Sequence, residues 1–159
     1  MGIRLAIVMA FSFLVGLQVE AQNLSSITYE IGDPVLTHLY VDSNTGSDSA
    51  SGSSSAHPLK TISTAWNKIP QSDPLTVGYK IHLAPGSFTE AQIPNYWEDR
   101  HGTYASPIIF EADGGAGSVT LKGDINMFGS SYIYFIGITI APDPAGDAFH
   151  CEQCDHILL

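Results

Sequence analysis

The sequence predicts an all-β solenoid, a parallel β-helix, from three observations. Short apolar stretches that alternate like β-strands follow one another from residue 79 onwards. Isoleucines recur in matching positions of these stretches, at separations of 27, 25 and 24 residues: Ile81, Ile108, Ile133 and Ile157. No crossover helix is visible between the stretches, which disfavours a βαβ sheet. A sandwich remains an alternative, but a fixed period with short strands is typical of stacked coils, with the isoleucines forming a ladder in the core.

Residues 1–21 are expected to be a signal peptide and not part of the fold. Arg4 precedes the apolar run Leu5–Leu17, and small apolar residues stand before an expected cleavage site between Ala21 and Gln22. The run of 13 residues is shorter than the roughly 20 that span a bilayer. An uncleaved anchor and a buried helix are the alternatives. We therefore expect a secreted protein, extracellular or periplasmic, with no membrane association after cleavage.

The charge of the chain excludes some classes of partner. The 159 residues include 16 acidic and 6 basic side chains, which gives a net charge of −10. Loss of the leader removes Arg4 and Glu20 and leaves this charge unchanged. An acidic surface repels phosphate, so nucleic acid and anionic membranes are not expected partners. The remaining chain has the length of one domain.

The first elements of that domain can be placed along the sequence. Residues 22–36 lack a periodic pattern and are expected to form an extended lead-in to a domain of residues 37–159. The β-favouring stretch Leu39–Val41 leads into residues 42–56, which we call the Ser-rich loop. Its Ser, Gly, Asp and Asn content is typical of a surface loop. A flexible linker is the alternative.

A short amphipathic helix is predicted after the Ser-rich loop. One helical face carries the apolar residues Leu59, Ile62, Trp66 and Ile69. Thr61 is the expected N-cap, and Pro70 ends the helix. Because such a helix cannot bury its own apolar face, we expect it to cover the N-terminal end of the solenoid, which would otherwise expose unpaired backbone.

These residues resemble the N-terminal part of secreted right-handed parallel β-helix proteins, the pectin-lyase-like superfamily. The matching motifs are Tyr40-Val41-Asp42, Gly46 to Asp48, Pro58 to Ile62 with Ala65, and Pro85 to Phe88. The resemblance covers residues 38–159 and is specific for the fold. It implies a polysaccharide partner, in particular a uronate polymer, and binding or lyase-like activity. A non-catalytic adhesion or cell-wall-binding module is the alternative.

Members of the superfamily usually have eight or more coils, whereas about three fit into this sequence. We therefore expect a β-helix truncated after about three coils, as a fragment of a longer protein. The alternative is a chain whose open end pairs with a partner, because a solenoid needs several repeats and a cap at each end. A fragment without independent activity is the third functional hypothesis.

The resemblance also implies a type of chemistry. Uronate lyases use a Lys or Arg base and neutralise the substrate carboxylate, commonly with calcium held by acidic side chains. Lys122, on a strand near Asp124, is the candidate base, and a solvated strand residue is the alternative. Asp124 and Asp147, together with Glu111 and Asp113, are candidate calcium ligands of the full-length protein. Acidic residues beside Gly are also common turn formers.

Three aromatic residues are candidate sugar contacts. Tyr96, Trp97 and Tyr104 lie in residues 95–104, which we interpret as a long insertion between two coils. Exposed aromatic rings can stack on the apolar face of a sugar. The alternative is that Trp97 packs the insertion onto the coil.

The C-terminal stretch has three interpretations. Cys151 and Cys154, with His150 and His156, are ligand types for zinc, although one isolated CxxC is weak evidence. The two cysteines could instead form a disulfide across a tight turn. We interpret the stretch as the corner between two strands of a coil, and the state of the cysteines stays open.

Overall fold

The computed structural model describes residues 31–71 and 73–159, and these residues form three parallel β-sheets. The predicted signal peptide, its cleavage site at Ala21 and Gln22, and most of the lead-in lie outside the described residues. Among the described residues, no helix is long and apolar enough to span a bilayer.

From β2 onwards, the strands visit the three sheets in turn. The first sheet contains, in spatial order, β1 (Leu36–Val41), β2 (Gly78–Leu83), β5 (Ile108–Ala112), β8 (Ser131–Ile136) and β11 (Asp155–Leu158). The second sheet contains β3 (Gly86–Phe88), β6 (Val119–Leu121) and β9 (Ile138–Ile140). The third sheet contains β4 (Trp97–Glu98), β7 (Ile125–Phe128) and β10 (Phe149–Glu152). All pairings are parallel, and a short 3₁₀ helix, Glu90–Gln92, lies between β3 and β4. The predicted parallel β-helix is confirmed, with three complete coils in the described chain.

The predicted helix is present as α1 (Ile62–Asn67). The side chain of Thr61 accepts a hydrogen bond from the N–H of Thr64 at 3.1 Å, which is the expected N-cap. The four apolar residues of the predicted face are all buried. Trp66 meets Trp97 of β4 edge to face, with ring centroids 5.1 Å apart. The helix therefore packs on the aromatic part of the core next to the first strands.

The predicted isoleucine ladder is confirmed for three of its four members. Ile108, Ile133 and Ile157 are paired in register along β5, β8 and β11. Ile81 does not join them, because it pairs with Phe110, and Tyr79 occupies the position next to Ile108. Residues two apart on a strand face the same side, so a shift of two keeps Ile81 in the core and cannot be seen in the spacing.

The Ser-rich loop is fixed to the start of α1 and is not a flexible linker. One carboxylate oxygen of Asp48 accepts hydrogen bonds from the N–H groups of Lys60 and Thr61, at 3.0 and 2.9 Å. A Cβ atom at Gly46 would collide with the carbonyl oxygen of Leu59. The loop and the residues before the helix are therefore in close backbone contact.

Candidate functional site

The third sheet places residues from all three coils on one outer surface. Its register aligns Trp97, Met127 and Cys151 on the inner side. The next register position aligns Glu98, Phe128 and Glu152 on the outer side. Asn126 and His150 form a second outward pair. Because parallel coils stack in register, side chains far apart in sequence become neighbours on this face.

A cavity of about 480 Å³ lies on this surface, and we call it the third-sheet groove. Its lining residues are Tyr96, Glu98, Asp124, Asn126, Met127, Phe128, Asp147, His150 and Glu152. The side chain of Tyr96 is 56% exposed at the rim. The groove thus combines an exposed aromatic ring with carboxylate, amide and imidazole groups. Pockets that orient a polar ligand have this combination of an apolar surface and a few polar groups.

The charge of the groove is negative. Four of its lining residues are carboxylates: Glu98, Asp124, Asp147 and Glu152. Among the described lining residues there is no Lys or Arg. His150 lies 3.0 Å from Glu152, and both side chains are more than half exposed. An anionic ligand would therefore be repelled here unless a cation accompanied it.

A second cavity, of about 410 Å³, adjoins the groove and contains the candidate base Lys122. Asp124 and Asp147 line both cavities. Gly123 is buried between Lys122 and Asp124, and a Cβ atom there would come within 2.7 Å of Ile93. This close approach brings the end of β6 against the residues that precede β4.

The candidate calcium ligands separate into two groups. Asp124 and Asp147 line the third-sheet groove. Glu111 pairs with Lys80, and Asp113 with His82, on the first sheet. No cluster of three His, Cys, Asp or Glu side chains with the arrangement of a metal site occurs in residues 31–71 and 73–159. The four candidate ligands therefore lie at two separate places, and only Asp124 and Asp147 line a common cavity.

The prediction that Trp97 is a sugar contact is wrong. Its side chain is 0% exposed and lies on β4, which belongs to the third sheet, so the insertion is part of a coil. Its ring meets Phe110 and Phe135 edge to face, at centroid distances of 5.3 and 5.6 Å. The alternative interpretation, that Trp97 packs onto the coil, is confirmed. Tyr96, the residue directly before β4, is exposed.

Tyr104 is exposed but lies away from the third-sheet groove. Its side chain is 62% exposed and lines a different cavity, formed with residues 31–35. Burial raises the pKa of Tyr134, with smaller contributions from Tyr132 and Tyr104. Tyr96 and Tyr104 do not form one binding platform.

The cysteines at the end of β10 are joined to each other. A disulfide links Cys151 and Cys154 across Glu152 and Gln153, with Cα atoms 6.0 Å apart. The bonded sulfurs are not thiolates, so the zinc interpretation of this stretch does not fit. The predicted corner is present, because β10 ends at Glu152 and β11 begins at Asp155.

Arg100, which the sequence analysis left unassigned, holds the rim of the groove. Its Nη1 donates to the carbonyl oxygens of Glu98 and Asp99, at 2.9 and 3.2 Å, and its Nη2 donates to that of Trp66 at 3.5 Å. The guanidinium lies 5.0 Å from the centre of the Trp66 ring. Burial lowers the pKa of Arg100, and the nearby Asp99 opposes that shift. Arg100 thus connects the groove rim to α1.

Comparison with protein-family models finds no match, and comparison with curated proteins finds no relative. The assignment of the fold therefore rests on the order and register of the strands. The residues of the groove are the basis for any proposal about activity.

Proposed function

We propose that the chain is a secreted carbohydrate-binding module that holds a polysaccharide in the third-sheet groove. The observation that carries this proposal is the exposed ring of Tyr96 at the rim of a groove lined by hydrogen-bonding side chains. An aromatic ring can pack on the apolar face of a sugar. Carboxylate and amide oxygens accept hydrogen bonds from hydroxyl groups, and the amide of Asn126 also donates.

Binding, and not catalysis, is the activity that these residues support best. A lyase needs a base at the reacting carbon and a group that neutralises the substrate carboxylate. Lys122 lies in the adjoining cavity among carboxylates and not in the groove itself. A non-catalytic module for adhesion or cell-wall binding therefore agrees better with this arrangement than a lyase.

The negative charge of the groove limits the class of polysaccharide. Four carboxylates and the absence of Lys and Arg among the described lining residues favour neutral sugar chains. A uronate polymer would meet like charges, so we expect it to bind only with a divalent cation such as calcium. Export is supported by the leader-like residues 1–21 and by the Cys151–Cys154 disulfide, because disulfides persist in oxidising compartments.

The proposal predicts that Tyr96→Ala weakens binding to a neutral polysaccharide by about tenfold, which corresponds to 1.4 kcal/mol. Binding of the chain to a panel of immobilised neutral polysaccharides, and to polygalacturonate with and without calcium, would test this. Tyr104→Ala is the matched control, because Tyr104 has a similar exposure but lines another cavity.

Two results would overturn the proposal. One is equal binding by the wild type and the Tyr96→Ala variant. The other is a rise in the absorbance of unsaturated uronates when the wild type is incubated with polygalacturonate, if Lys122→Ala abolishes this rise. That result would mean that the chain is a lyase and not a binding module.

A further inference from the structure

A further cavity, of about 370 Å³, lies beside the third-sheet groove, and we call it the α1 cavity. One side of it is lined by residues of α1 and by Gln71, and the other side by residues between 94 and 100. Tyr96 and Glu98 line both the α1 cavity and the third-sheet groove. A ligand held on the ring of Tyr96 can therefore reach into both cavities.

The polar side chains of the α1 cavity differ from those of the groove. Three exposed amides line it, those of Asn67, Gln71 and Asn95, and Ser63 adds a hydroxyl group. Glu98 is the one carboxylate among its described lining residues, whereas the groove has four. Amide and hydroxyl groups donate hydrogen bonds as well as accept them, but ionised carboxylates only accept. The α1 cavity therefore supplies the donors that are few in the groove.

Arg100 also lines the α1 cavity, and its guanidinium has donors left over. The residue is 6% exposed, and its Nε has no hydrogen-bond partner among the described residues. Nη1 donates to two carbonyl oxygens and Nη2 to one. Because a guanidinium has five N–H groups, one on Nε and one on Nη2 remain. Buried donors are normally paired, so these two indicate an acceptor that the described residues do not supply.

The two cavities together match the hydroxyl groups of a neutral sugar chain. Each hydroxyl both donates and accepts a hydrogen bond. A chain that packs on Tyr96 can donate to the carboxylates of the groove and accept from the amides and the guanidinium of the α1 cavity. A carboxylate-bearing unit would gain from Arg100, but it would lie near Glu98 and the other carboxylates of the groove, which repel it.

We propose that the α1 cavity is a second sugar subsite, which holds the unit of a neutral polysaccharide next to the unit on Tyr96. This inference rests on the proposed function, because it extends the same bound chain from the groove toward α1. Asn67 and Gln71 donate to and accept from the hydroxyl groups of this second unit. The module therefore recognises a segment of several sugar units and not a single sugar.

Isothermal titration of the purified chain with linear β-1,4-linked oligosaccharides of glucose, mannose and xylose, from one to six units long, tests the proposal. In the series that binds, we expect the six-unit chain to bind at least about tenfold more tightly than the single sugar. The double variant Asn67→Ala/Gln71→Ala should weaken binding of the six-unit chain by about tenfold and leave the single sugar unchanged. Tyr96→Ala should weaken both. Asn44→Ala is the control, since Asn44 is an exposed amide of the Ser-rich loop that lines neither cavity.

A thermal melt separates lost binding from lost folding, and the double variant should keep the melting temperature of the wild type because both side chains are exposed. Two outcomes would overturn the second subsite and leave the proposed function standing. One is an affinity that does not rise with chain length. The other is a double variant that binds the six-unit chain as tightly as the wild type, or that weakens the single sugar equally. If the wild type binds neither these oligosaccharides nor any polysaccharide of the panel, the proposed function and the second subsite are both wrong.

Discussion

The first and the last described coils of the solenoid bury their inward side chains to different degrees. In the first of these, Val41 of β1 is buried, and so are Ile62 and Trp66 of α1, because the helix packs its apolar face against the core. In the last described coil, Phe149 and Ile157 also face inward but are only partly buried. An inward position therefore does not by itself give burial. Each coil is covered by the layer that packs against it, and α1 supplies that layer for the first coil.

The largest expected effect comes from removing one large side chain in each of these two regions. We expect Trp66→Ala to lower the free energy of unfolding by about 3–5 kcal/mol, because it removes a buried ring and leaves a cavity against Trp97. Ile157→Ala should cost only about 1 kcal/mol, because its side chain is partly exposed already. Urea unfolding followed by circular dichroism measures both values. Equal losses for the two variants would contradict the comparison.

Much of this fold was predictable because its period and its helix are local patterns. The apolar face of α1 and its N-cap depend only on residues close in sequence. β4 was missed, since two residues in a polar stretch show no alternation. The predicted partner of Ile81 was also wrong by two residues, because Ile108 and Phe110 both face the core and the spacing of the isoleucines cannot show which of them lies next to Ile81.

The second test concerns the polar contacts at the capped end. Arg100→Met removes three hydrogen bonds to carbonyl oxygens and the contact with the Trp66 ring. We expect a loss of about 1–3 kcal/mol in the free energy of unfolding. Arg100→Lys is the matched control. Lys keeps the positive charge but not the planar guanidinium group. The free energy of unfolding of Arg100→Lys should therefore lie between those of the wild type and Arg100→Met. A Lys variant as unstable as the Met variant would show that charge does not contribute.

The groove shows why sites are harder to predict than folds. Tyr96, Asp124 and Asp147 were each candidates, but they come from different coils. They lie on one surface because β4 and β7 pair with Trp97 next to Met127. This register cannot be read from the sequence. Outward residues such as Glu98 and Asn126 had no distinctive motif. Only the stacking of the coils brings them to one surface.

The smallest expected effect lies at the start of α1, where Asp48 supports the cap. Burial by itself raises the pKa of Asp48, but the hydrogen bonds that it accepts from Thr61 and from the N–H of Lys60 outweigh burial. Its pKa therefore lies below the ordinary value of 3.8. A carboxyl group with a lowered pKa stabilises the fold above the pKa of the unfolded chain. That contribution is lost as the pH falls through the lower pKa of the folded state.

We expect Asp48→Asn to lower the free energy of unfolding by about 1 kcal/mol at neutral pH, since a neutral amide accepts weaker hydrogen bonds than a carboxylate. The difference from the wild type should stay constant down to about pH 4 and shrink below it, as Asp48 itself becomes neutral. Urea unfolding of both proteins between pH 3 and pH 7 measures this. A difference that persists unchanged at pH 3 would mean that the shape of the side chain, and not its charge, fixes the Ser-rich loop to the helix.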